Sequence, residues 1–271
     1  MAEPRYTLGD LQTLMQRLRD PKDGCPWDRA QSFDSIVPHT LEEAYELVDA
    51  IAQKDMQHIK EELGDVLFQV IFYSQLAEEQ QAFSLDEVIH DLTVKLIRRH
   101  PHVFPSGDLH SRAGQQNTPS QQVKQNWEAI KQQERQQKQQ HGLLADVPLA
   151  LPALNRASKL QKRAAKVGFD WDDINKVIEK LHEELAELEQ AQQVGDRAEI
   201  EAELGDILFC CVNLARHLDV SPESALRATN QKFERRFGYI EQQLQAREQN
   251  IADAELAALE ALWLEAKRHL G

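Results

Sequence analysis

One seven-residue pattern occurs twice in this chain. Glu-Leu-Gly-Asp-x-Leu-Phe occupies residues 62–68 and returns at residues 203–209, an offset of 141. The same offset sets Glu43 opposite Glu184 and Glu46 opposite Glu187, inside the runs Glu-Glu-Ala-Tyr-Glu-Leu and Glu-Glu-Leu-Ala-Glu-Leu. Two motifs in one register are the mark of an internal duplication, and each copy must then satisfy the same fold. With small length changes the match extends further. Gly24-Cys-Pro-Trp27-Asp aligns with Gly168-Phe-Asp-Trp171-Asp, Lys95-Leu-Ile-Arg-Arg99 with Lys232-Phe-Glu-Arg-Arg236, and Trp127 and Lys131 with Trp263 and Lys267. We read two homologous halves, residues 1–140 and 148–271, joined around residues 148–152.

The copies are helical. Leu, Ala, Glu, Gln, Lys and Arg dominate, while Gly (11) and Pro (10) are scarce among 271 residues and long β-branched runs are absent. The expected fold class is all-α, a tandem duplication of a helical-bundle domain. Apolar spacing predicts helices near 7–19, 39–53, 56–80 and 84–99 in the first half, and near 155–166, 172–193, 196–218, 221–249 and 253–269 in the second. Residues 105–120 are rich in Ser, Gly, Asn and Pro and read as a loop. Residues 121–140 are rich in Gln and Lys and read as an exposed helix.

A formal charge of −14 and a pI near 5.2 repel polyanions, so no nucleic-acid partner is expected. Three cysteines, two of them adjacent at Cys210 and Cys211, suit neither a disulfide framework nor a zinc site. No apolar stretch is long enough to span a bilayer and the N-terminal residues lack a secretory pattern. No membrane partner and a cytoplasmic location are expected.

The carboxylates carry the chemistry. Glu184 and Glu187 are three residues apart, as are Glu203 and Asp206, so each pair projects from one face of a helix. An isolated acidic pair is usually a solvated surface. Here the residues after Asp206 and after Asp65 are apolar nearly all round, which predicts buried helices with their carboxylates inside. Buried carboxylates that converge repel one another and take up protons unless a cation joins them. An all-oxygen donor set suits Mg²⁺, with Mn²⁺ as the substitute, and Mg²⁺ suggests a phosphate substrate.

Phosphate needs positive donors as well. Lys232, Arg235 and Arg236 lie at i, i+3 and i+4 and can clamp phosphate oxygens. Lys180, one turn before Glu184, either reaches phosphate or forms a salt bridge to Glu184. Trp263 and Lys267, four apart, either stack a base and touch a phosphate or serve core packing. Trp27 and Trp171 read as core anchors and are left out of the site. The rival reading is a helical scaffold or regulatory binding module with salt-bridged, metal-free acidic clusters. There is no Gly-x-x-x-x-Gly-Lys-Ser/Thr loop and no Gly-x-Gly-x-x-Gly turn, which excludes the common nucleotide folds.

Glu-Glu-x-x-Glu followed by Glu-x-x-Asp, with the basic and C-terminal motifs beside it, resembles the MazG family of all-α nucleoside triphosphate pyrophosphohydrolases along nearly the whole chain. The resemblance implies that Glu184, Glu187, Glu203 and Asp206 are the magnesium ligands and catalytic centre. It further implies that Lys232 and Arg236, with Trp263 and Lys267, contact the nucleotide. It implies a homodimer and hydrolysis of ribo- and deoxynucleoside triphosphates to monophosphate and pyrophosphate, in nucleotide-pool housekeeping or stress. Spacing alone does not separate this cleavage from γ-phosphate release, nor from a narrower enzyme acting on dUTP, dCTP or phosphoribosyl-ATP. Glu43, Glu46, Glu62 and Asp65 repeat the ligand set in the first half. There, however, His39 stands opposite Lys180, Phe72 opposite Asn213 and Thr93 opposite Asn230. We therefore expect the second half to be the main catalytic domain, and the first to bind metal weakly or act as scaffold.

Overall fold

The computed structural model describes residues 5–113 and 142–271, with positions 119, 122, 123, 126, 127, 129, 130 and 134 between them. Among these residues there are helices and no strand, as an all-α duplicated chain requires. The first half gives α1 (Leu8–Leu18), α2 (Pro26–Ala30), α3 (Phe33–Gln53), α4 (Met56–Glu79) and α5 (Leu85–Arg99). The second gives α6 (Ala153–Ala165), α7 (Ile174–Val194), α8 (Arg197–His217), α9 (Pro222–Ala246) and α10 (Leu256–Leu270). The chain divides into two compact units, 1–134 and 135–271.

In each unit a helical hairpin dominates the packing, α3 against α4 and α7 against α8. A preceding helix leans on its second arm, α1 on α4 and α6 on α8. The repeat extends to the turn inside the hairpin. Asp55 and Asp196, 141 residues apart, cap α4 and α8, and each side chain accepts hydrogen bonds from the two backbone N–H groups next to be left unpaired. The residue before each cap, Lys54 or Gly195, sits in the left-handed region at φ 60° or 78°.

The first core gathers Met15, Ile36, Ile71, Phe72, Leu76 and Leu85, with Leu11, Phe33, Phe68 and Tyr73 packed around them. In the second unit Ile240 and Leu244 of α9 meet Leu262 of α10, and Trp263 packs against this cluster. Two expectations need correction. Helix α3 begins at Phe33, six residues before 39, although Pro38 lies inside it. The reciprocal cap between Ser32 and Ser35 starts it. Buried Ile36 and the stacking of Phe33 on Tyr73 at 5.7 Å offset the lost N–H of the proline. Helices α4 and α8 are not apolar-buried all round either, since Leu63, Leu67, Leu204 and Leu208 are exposed. Residues 105–113 form turns and bends without a helix, as the loop expected over 105–120 requires, and most of the exposed helix expected over 121–140 falls outside the described residues.

Only glycine enters the left-handed region without a Cβ penalty. Replacing Lys54 by Gly, the residue its twin position carries, is expected to stabilise the first unit by about 0.5–1 kcal/mol. Urea unfolding followed by circular dichroism checks this, with Gly195→Lys expected to move the other way.

Candidate active site in the second helical hairpin

The α7/α8 hairpin brings three carboxylates together. Oxygens of Glu184, Glu187 and Glu203 lie within 4.8 Å of one another. Asp206, expected as the fourth member, is exposed and stands outside this triplet, though it lines the neighbouring cavity with Glu184 and Lys180. In the first unit the triplet is composed differently. Glu43, Glu62 and Asp65 converge and Glu46 does not. One motif is thus closed from different corners in the two copies, which helical spacing alone cannot foresee.

The clusters carry the electrostatic signature of crowded acids. Burial pushes the Glu203 carboxyl above its ordinary range, and the neighbouring Glu187 and Glu184 push it further. Glu43 is raised by burial and then by Asp65, Glu46 and Glu62. Glu62 Oε2 is buried with no partner among the described residues. A hard divalent cation fits this donor set, since it satisfies oxygens that otherwise repel and lack hydrogen bonds.

Lys180 answers part of the charge in the second unit. Its Nζ lies 2.8 Å from Glu183 Oε1 and 2.8 Å from Glu184 Oε1, which raises its own pKa. The salt bridge weighed for Lys180 is present, and the residue also faces the cavity. That cavity, of about 630 Å³, opens beside the carboxylates. Trp171 and Phe169 line it from the loop before α7, Phe209 and Asn213 from α8, and Gln161 from α6. Trp171, read from sequence as a core anchor, is 40% exposed and forms cavity wall, and Trp27 is 52% exposed. Gln161 was missed altogether. No motif surrounds it, and its placement depends on a bond from its amide to the Phe209 carbonyl 48 residues away.

The remaining basic and aromatic candidates gather elsewhere in the unit. Arg236 lies over the Trp263 ring at 5.6 Å and donates to the Gly271 carbonyl at 2.8 Å. Phe233 approaches the same ring at 5.3 Å. Lys232 and Lys267 share these two helices, and none of Lys232, Arg236, Trp263 and Lys267 lines the cavity.

With this geometry in place, the likeness to known proteins becomes informative. The pattern of the MazG nucleotide pyrophosphohydrolase domain matches residues 31–104 and again 173–239. The chain is 48% identical over 260 residues to the nucleoside triphosphate pyrophosphohydrolase of Escherichia coli (strain K12), covering 95% of this chain and 96% of that one. It is 43% identical to the nucleoside triphosphate pyrophosphohydrolase/pyrophosphatase MazG of Thermotoga maritima, over 98% of both chains. A further relative is the uncharacterized protein YabN of Bacillus subtilis, 42% identical over 97% of this chain and 52% of its own length.

The chain belongs to the MazG family.

Each MazG segment contains one acidic hairpin, and the two differ in what surrounds it. Arg98 and Arg99, the first-half counterparts of Arg235 and Arg236, both close on Glu134 at 2.5 Å. They hold its carboxyl down at about 2. In place of Lys180 stands His39, 3.6 Å from Glu42. His58 lies 2.9 Å from Glu62, where the other copy has Glu199. Gln161, Phe169 and Trp171 precede the second MazG segment, and Trp263 and Lys267 follow it.

Two outcomes follow. Glu134 titrates at about 2 when folded against an ordinary value of 4.5, so its contribution to stability is complete above pH 4.5 and is lost as pH falls toward 2. Glu134→Gln is expected to flatten the acid limb of unfolding in that window, as read by fluorescence against pH. Adding Mg²⁺ to protein stripped with a chelator is expected to raise the melting temperature by on the order of 5 °C at neutral pH. Protons compete for the same oxygens, so this increment should shrink as pH falls toward 5, a trend that differential scanning fluorimetry resolves.

Proposed function

We propose that the chain hydrolyses nucleoside triphosphates, ribo- and deoxy-, to the monophosphate and pyrophosphate at the acidic hairpin of its second half. The observation that carries this reading is the convergence of Glu184, Glu187 and Glu203 beside Lys180 at the mouth of a nucleotide-sized cavity. The near full-length likeness to a relative named for that reaction supports it. Glu184, Glu187, Glu203 and Asp206 are proposed to hold Mg²⁺, with Mn²⁺ as substitute. Bound there, the ion neutralises phosphate charge and lowers the pKa of its water.

The protein's own groups have separate tasks in this reading. Lys180, held against Glu183 and Glu184, adds positive charge where the polyphosphate arrives and keeps Glu184 oriented. Lys232, Arg236, Trp263 and Lys267 form a second substrate-contacting group, in which the Trp263 ring holds the Arg236 guanidinium in position. The first half is proposed as scaffold with a cation site of little catalytic use, because its paired arginines are already committed to Glu134. Leu204 and Leu208, exposed on the second hairpin at the places matched by Leu63 and Leu67 on the first, support assembly as a homodimer through these faces. Among the described residues no helix is long and apolar enough to cross a membrane. The reading puts the chain in the cytoplasm with its nucleotide substrates, in pool housekeeping or stress.

A time course of ATP and dNTP turnover with and without Mg²⁺, products separated by ion exchange, tests this. Monophosphate and pyrophosphate are expected, with Glu203→Gln slowing turnover roughly 100-fold and Glu62→Gln leaving it near wild type. Diphosphate plus phosphate would overturn the bond assignment, and equal losses in the two variants would overturn the division of labour between halves.

A further inference from the structure

The cavity beside the carboxylates has a polar wall that the reaction at the phosphates does not use. Gln161 is 7% exposed and Asn213 6% exposed, and both line it. Their amides are held in fixed orientations. Gln161 Nε2 donates to the Phe209 carbonyl at 2.8 Å, an acceptor only, so its Oε1 is the atom left to accept. That oxygen is buried and has no partner among the described residues. Asn213 Oδ1 accepts from the Arg216 guanidinium at 2.6 Å, a donor only, so its Nδ2 remains as a donor. Arg216 is itself fixed by Asp170, with one bond of 2.8 Å and a second, shorter contact between the same two groups.

Phe209 lies four residues before Asn213, so docking Gln161 on its carbonyl sets the two amides about one helical turn apart. The wall therefore offers a hydrogen-bond acceptor near a donor, among the rings of Trp171, Phe169 and Phe209. A buried acceptor without a partner is costly unless a ligand supplies the proton. Flat faces around an acceptor and a donor complement a heterocyclic base, whose edge carries a donor beside an acceptor. A volume of about 630 Å³ lies in the range of small-ligand sites. At the place of Asn213 the first half has Phe72, 1% exposed within the core, so the same position is filled there by a ring.

We propose that this cavity is the base-recognition pocket, with Gln161 Oε1 accepting from a base N–H and Asn213 Nδ2 donating to the adjacent ring nitrogen or carbonyl. The inference rests on the proposed nucleotide reaction and adds two specificity-determining residues to it. The pocket reads any base with a donor–acceptor edge and penalises one that lacks the donor.

Titration calorimetry on the full chain with AMP and purine riboside 5′-monophosphate tests this without turnover. The second ligand lacks the exocyclic amino group. Wild type is expected to bind AMP roughly 10-fold more tightly than the purine riboside, and Gln161→Leu to erase that preference. A variant that only loosened the fold would weaken both ligands alike, and that result, or an unchanged preference, would overturn the assignment. Ala164→Phe, which fills the cavity from α6, is expected to abolish AMP binding while inorganic pyrophosphate still binds, and unchanged AMP binding would count equally against the pocket. Wild type that discriminates the two ligands through Gln161 yet releases no pyrophosphate from ATP would sink the reaction and leave the pocket standing. Hydrolysis of ATP with AMP binding untouched in both variants would do the reverse.

Discussion

Carboxylates on adjacent helices repel one another, and the hairpin that brings Glu184, Glu187 and Glu203 within 4.8 Å does so against that repulsion. Burial, and after it this repulsion, pushes the Glu203 carboxyl above its ordinary range. Such an arrangement persists only if the rest of the unit holds the two arms together. Burial along α7 and α8, at Val177, Ala191 and Val212, supplies the holding force, and the Asp196 cap with the left-handed Gly195 fixes where the chain reverses. The helices around the hairpin can then be understood by what they add. Helix α6 brings Gln161 onto α8, and α9 carries the basic residues.

The duplication provides an internal comparison, because the same hairpin is built twice and only its surroundings vary. In the first copy the cation-handling residues turn inward on the protein itself. Arg98 and Arg99 are taken by Glu134, Glu62 by His58, and the place of Asn213 by the ring of Phe72. In the second copy Arg236 lies over Trp263 and donates to the Gly271 carbonyl instead of closing on a carboxylate, and Asn213 lines a cavity where the first copy has the core ring of Phe72. A duplicated chain can let one copy pair its polar groups within the protein while the other leaves some of them lining a cavity.

How much of this was legible in the sequence depended on the range of the interactions involved. The helices and the acidic motif rest on residues within a turn or two of one another, which helical spacing exposes, and the repeat shows as one pattern returning at a fixed offset. Helix α3 starts six residues before the expected 39 because the Ser32 cap and the packing of Phe33 on Tyr73, 40 residues distant in sequence, carry the helix through Pro38. Trp171, three residues after Gly168 at the entrance to the acidic helix, reads as a core anchor, and only the tertiary arrangement leaves it 40% exposed at a cavity wall. Which three of the four carboxylates meet differs between the copies and is set between two helices, which no single helix encodes.

Gln161 shows the same limit most sharply. A glutamine amid Lys and Arg on an amphipathic helix carries no signal of its own, and burying its amide with one bond satisfied is unfavourable unless something answers the free oxygen. Its role becomes visible only through the acceptor it docks on and the amide that stands a turn away, both on another helix. On the proposed reading the acidic motif marks where phosphate chemistry belongs, and discrimination among nucleotides depends on groups recruited from outside that motif. Family resemblance therefore transfers the reaction more securely than it transfers the choice of base. In the proposed pocket that choice falls to a wall built from α6 and α8, to which Gln161 and Asn213 contribute one unanswered acceptor and one spare donor.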